Sequence, residues 1–112
     1  MAVYVSNIVI EQGFDFNTSF QLEDTRSNSF LDLSNTSTTA LLKKTYSSQS
    51  SVTFISTVSS PIEGIISLSL NSDQTAALKP GRYVYDVKII TLSGLELKAV
   101  EGSVLVRPGV TT

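Results

Sequence analysis

Apolar and polar residues alternate with a period of two through most of this chain. From Phe14 to Leu22, the residues Phe14, Phe16, Phe20 and Leu22 share one parity, and Asp15, Asn17, Ser19 and Gln21 hold the other. Side chains two apart on a strand lie on one face, so this segment reads as a half-buried strand with its aromatic face against a core. The same pattern marks Thr38 to Tyr46, then Val52 to Val58 with Phe54 inward, then Ile65 to Leu70 with Ile66, Leu68 and Leu70 inward. It returns in the run carrying Tyr83, Tyr85, Val87 and Ile89. Residues 3–10 are β-branched and aromatic, which predicts a strand broken near Ser6 and Asn7. In the last strand the apolar parity flips, from Leu95, Leu97 and Ala99 to Val100, Val104 and Val106. A bulge between Lys98 and Gly102 accounts for the flip, with Gly102 as the expected point of accommodation.

One stretch breaks the period. Asn71 stands where a helix cap belongs, Gln74 three residues later is placed to reach back to it, and Ala76, Ala77 and Leu78 favour helix. Pro80 and Gly81 stop it, so a short helix is expected over Asn71 to Lys79. Strand, short helix, sharp turn and aromatic strand is the order in which immunoglobulin-like sandwiches pass from one sheet to the other. The expected fold is therefore all-β, an immunoglobulin-like β-sandwich of about 7–8 antiparallel strands with one short helix between two late strands. Phe14, Phe16, Phe20, Leu22, Phe54, Leu68, Leu70 and Val87 are the expected core. Asn71, Gln74, Pro80, Gly81, Tyr83 and Tyr85 form the expected corner, with one tyrosine structural and the other partly exposed; one is placed to bond back to the corner backbone, and the pair equally suits a contact surface.

The length of 112 residues fits one domain spanning 1–112, with 1–6 as an amino-terminal arm and 107–112 as a tail. Charged residues make up only 16% of the chain, so serine and threonine, about a quarter of it, must supply much of the polar surface. A weakly charged surface of this kind suits contact with another protein, and equally suits an ordinary β-protein exterior. The net charge of −2 and the scattered lysines and arginines give no basic face for nucleic acid. No long apolar run or basic amphipathic helix points to a membrane, and no secretory signal is read. Contacts with a partner are expected from Val3, Tyr4 and Val5 in the arm and from Val110 in the tail.

Candidate chemistry is sparse. With no histidine and no cysteine, thiolate zinc sites and triads built on either residue cannot be assembled. Carboxylate pairs remain: Glu11 with Asp15, Glu23 with Asp24 and Asp32, and Asp86 with Glu96 or Glu101. All fall in turns or on polar strand faces, where a solvated carboxylate is expected. Asp24, Arg26 and Asn28 alternate like calcium ligands, but a guanidinium at the third position and the missing loop glycine exclude that reading. No enzyme activity, metal or cofactor is expected.

The segments Ile66–Leu70 and Gln74–Val87, together with Ile8–Gly13, Leu41–Tyr46 and Val100–Val106, resemble a pattern of small structural proteins in tailed phages. Their order is similar to the immunoglobulin-like amino-terminal domain of phage baseplate upper proteins. That resemblance implies a virion protein binding the major capsid protein or tail and baseplate proteins in multiple copies. With nothing following Thr112, a decoration or cement role on the capsid, or an accessory tail role, is expected. The alternative is a host-surface or glycan-recognition module, against which the absence of tryptophan argues.

Overall fold

The computed structural model describes residues 4–24, 29–30, 32–45, 47, 49 and 51–110. In chain order the strands are β1 (Tyr4–Val5), β2 (Ile8–Glu11), β3 (Phe16–Gln21), β4 (Glu23–Asp24), β5 (Ser29–Phe30), β6 (Ser37–Lys43), β7 (Val52–Thr53), β8 (Ile55–Ser60) and β9 (Ile65–Leu70). Helix α1 (Ser72–Ala76), β10 (Gly81–Ile90) and β11 (Glu96–Arg107) complete the order. The larger sheet runs β1-β11-β10-β6-β7, with β2 also on β11; the smaller is β3-β9-β8, and β4 pairs with β5. Their inward faces enclose one core that includes Phe20, Leu22, Phe54, Leu68, Leu70, Tyr85 and Val87, so the fold is an all-β sandwich.

Several expectations are corrected. The strands are not all antiparallel: β1 and β2 both pair with β11 in parallel, Tyr4 opposite Val100 and Ile8 opposite Val104. Phe14 is not in the core and is 46% exposed, because the chain turns from Glu11 to Phe14 and enters the ladder only at Phe16. The helix is shorter than Asn71 to Lys79; after the cap at Ala77 the backbone turns and buries Leu78. Phe16 is half-buried against Phe54, ring centroids 6.2 Å apart.

The predicted strand over Val52 to Val58 is divided between the layers. Val52 and Thr53 pair with Leu42 and Leu41 of β6, whereas Ile55 onward pairs with β9. Phe54 is the pivot, its N–H on the Ala40 carbonyl and its ring buried. The bulge in β11 falls at Ala99: Val87 faces Val100 and Lys88 faces Lys98, so Ala99 and Val100 both point inward and are fully buried. Gly102 is not the accommodation point; it lies in register opposite Tyr85. Among the expected sites, Val3 lies outside the described residues, as do Arg26, Asn28 and the side chain of Asp24 from the calcium-like alternation.

Candidate protein-docking face

At the corner, Asn71 Oδ1 accepts the Gln74 N–H at 2.8 Å and the Gln74 amide oxygen accepts the Asn71 N–H at 2.9 Å, a complete capping box. Asp15 accepts the Ser72 N–H at 2.8 Å, another otherwise orphaned donor of the first turn. Buried Thr75 ties the helix to the turn below it, donating to the Phe14 carbonyl at 2.8 Å and accepting the Gly13 N–H at 3.0 Å. After exposed Pro80, Gly81 takes a φ of 142°, which favours glycine. Tyr83 donates to the Lys79 carbonyl at 2.7 Å, four residues back, in the manner of a tyrosine corner, and the Lys44 ammonium lies 4.8 Å from its ring centroid. Tyr85 is buried instead and donates to Ser6 O at 2.6 Å; burial pushes its phenol up to about 12. These side chains hold the sandwich together and offer no reactive group.

Four of the carboxylates singled out as pairs, Glu11, Asp86, Glu96 and Glu101, are engaged with cations. Lys88 meets Glu96 at 3.0 Å, Lys98 meets Glu101 at 3.3 Å and Asp86 at 3.9 Å, and Arg107 meets Glu11 at 3.4 Å. All are solvent-exposed, so each contributes little to stability, but together they fix a charge pattern on the outer face of the larger sheet. Asp32 accepts the Ser34 N–H at 2.9 Å, and hydrogen bonding to Ser34 holds its carboxyl below the usual value. Among the described residues no group of three His, Cys, Asp or Glu side chains is arranged to hold a metal ion, and no helix is long and apolar enough to cross a membrane.

What periodicity did not single out is a stripe of aliphatic side chains on that same outer face. Four strands carry an apolar triplet: Ile8-Val9-Ile10 in β2, Ala40-Leu41-Leu42 in β6, Tyr83-Val84-Tyr85 in β10 and Val104-Leu105-Val106 in β11. The outer two residues of each triplet point to the core or its rim, so the middle one points out. Val9 faces Leu105 directly; Leu105 is diagonal to Val84, through the pairs Arg82 with Leu105 and Val84 with Ser103. Val84 is diagonal in turn to Leu41, through the pairs with Lys43 and Asp86. Diagonal neighbours of this kind are within reach of long side chains, so the four form one band across four strands.

Arg82 and Lys43 flank the band on one side, and Glu101 and Asp86 on the other. Two shallow grooves, of about 210 and 270 Å³, lie on the same face and share Leu41 and Asp86. The smaller sheet differs: Ser19, Ser67 and Thr57 cross the middle of its outer face, and its strands have no apolar triplet at their centres.

This layered arrangement is found in a known structure. An internalin-like protein of Listeria monocytogenes superposes on 94% of this chain with a TM-score of 0.50 and 18% sequence identity. The chain spans 28% of that protein's chain, and at such identity the likeness shows the fold alone. No protein-family model matches the chain, and no curated protein gives a significant match.

Of the expected partner contacts, Val5 is 67% exposed and Val110 fully so. Tyr4 is half-exposed but leans its ring on Phe20 at 6.0 Å, edge to face, so part of it belongs to the fold. The band was legible in principle: a triplet of apolar residues in a strand of period two means that both faces are apolar there.

Proposed function

We propose that this chain is a non-enzymatic structural protein of a phage particle, present in many copies, whose larger sheet docks on a neighbouring capsid, tail or baseplate protein. The observation that carries the docking role is the aliphatic band Val9–Leu105–Val84–Leu41, bordered by charges of both signs on an otherwise hydrophilic face. An apolar centre with a charged rim is the anatomy of a protein contact surface, and the alternation of a two-layer sandwich gives no internal reason for outward aliphatics on four adjacent strands. Exposed Val5, in β1, adds a further apolar side chain on the same edge of the larger sheet. The assignment to a virion rests on the sequence resemblance.

The test is reconstitution. Particles stripped of this protein are incubated with the purified chain and pelleted, and labelled antibody on intact particles reports whether the head or the tail is decorated. Saturable binding that is lost in Val9→Lys and Leu105→Lys variants supports the reading. No binding by folded wild-type protein, or unchanged binding by both variants, rules it out.

A further inference from the structure

The smaller of the two grooves, about 210 Å³, is lined by Leu41 and Val84 with Lys43 at one side and Asp86 at the other. Arg82 stands one pair further along β10 on the same face. Among the described residues neither Lys43 nor Arg82 has a carboxylate partner, whereas Lys88, Lys98 and Arg107 all do. The site therefore combines an aliphatic floor with two uncommitted cations and asks for an aliphatic side chain followed by an anion.

That combination protrudes elsewhere on the same molecule. The turn after β8 reads Pro61-Ile62-Glu63-Gly64, and Ile62 is 77% exposed at its tip. The turn is held by three backbone hydrogen bonds: Leu33 N–H to Pro61 O at 2.8 Å, Leu22 N–H to Gly64 O at 2.8 Å, and Gly64 N–H to Pro61 O at 3.2 Å. It is thus a pre-formed projection that loses little freedom on binding. Glu63 is exposed and unpaired among the described residues, and exposed Glu23 and Asp32 lie on the segments bonded to this turn.

We propose that the Pro61–Gly64 turn of a second copy of this chain docks into the groove between β6 and β10. Its Ile62 packs on Leu41 and Val84, and its Glu63 carboxylate meets Lys43 and Arg82. Projection and groove are different patches of one surface, so the contact is head-to-tail and propagates into a ring or a row of copies. This rests on the docking role proposed for the face and names one neighbour for it.

The experiment is sedimentation of the purified chain over a concentration series, with thermal melts as a folding control. Wild-type protein self-associates, and raising salt from about 0.05 to about 0.5 M weakens the association, because exposed charges are then screened. Glu63→Arg, Lys43→Glu with Arg82→Glu, and Ile62→Ser each weaken it about tenfold or more. An equimolar mixture of the Glu63→Arg chain and the Lys43→Glu/Arg82→Glu chain regains it, since each supplies the complement the other lost. A wild type that stays monomeric, association indifferent to these substitutions, or a mixture that fails to recover overturns the proposal. Particle binding measured on the same samples separates the two ideas: a monomer that still binds particles removes only the self-contact, whereas loss of both removes the docking face as well.

Discussion

Tyr85 and Ser6 are 79 residues apart in sequence, and the phenol of one donates to the carbonyl of the other at 2.6 Å. The bond crosses from the middle of β10, over β11, to the break between β1 and β2. It is possible because Gly102 lies between them: a β-carbon there would sit 1.9 Å from the Ser6 carbonyl oxygen. The break is fixed on both sides, Ser6 N–H bonding Glu101 O at 3.0 Å and Asn7 Oδ1 accepting the Ser103 N–H at 3.1 Å. The missing side chain of Gly102 thus decides where the amino-terminal arm is clamped.

Gly102→Ala is expected to drive the arm off β11, since the obstructing atoms are backbone and cannot swing aside. The cost is about 1–3 kcal/mol from a forced backbone shift. Urea unfolding measures it, and hydrogen exchange shows whether Tyr4 and Val5 lose protection while β10 retains it.

Tyr85→Phe keeps the packed ring and removes the hydroxyl, leaving the Ser6 carbonyl without this donor. A loss of about 1–2 kcal/mol is expected. An unchanged midpoint with an unchanged denaturant slope would mean that the bond contributes nothing.

Alkaline pH acts through the same phenol. Its pKa rises on folding from 10.0 to about 12, so the folded state holds the proton more tightly than the unfolded one. The resulting stability is fully present below pH 10 and is lost as pH climbs towards 12, a slope on the order of 1.4 kcal/mol per pH unit within that window. Thermal melts from pH 8 to pH 12 should show this fall in wild type, and the part contributed by Tyr85 should vanish in Tyr85→Phe.

Asn71→Ala removes the cap and is expected to cost about 1 kcal/mol. Tyr83→Phe, which severs the bond to Lys79 O, is expected to cost about the same. Neither side chain lies on the outer face that carries the aliphatic band, so melts should shift while particle binding by the folded variants is unchanged. Loss of attachment without loss of stability would show that the corner is itself a contact surface.

Val9→Lys is the converse. Val9 is 50% exposed and points outward, so its replacement should change stability by no more than about 0.5 kcal/mol while removing attachment.

The alternation of residues was enough to place most strands and to choose their buried sides, because the two-residue period follows from backbone geometry alone. The helix cap and the Pro-Gly stop were legible for the same local reason: Asn71, Gln74, Pro80 and Gly81 act on groups within a few residues. Phe14 misled because parity continues through a turn where the strand does not. The tertiary structure alone decided which edges meet. It divided Val52 to Ser60 between two layers, set β1 and β2 parallel to β11, and chose Tyr85 over its neighbour for Ser6. Those outcomes depend on backbone hydrogen bonds between segments far apart in the chain, to which a local period is blind. The docking band lies between the two cases: its four apolar triplets are written in the sequence, but only the register of β2, β11, β10 and β6 lines their central residues into one surface.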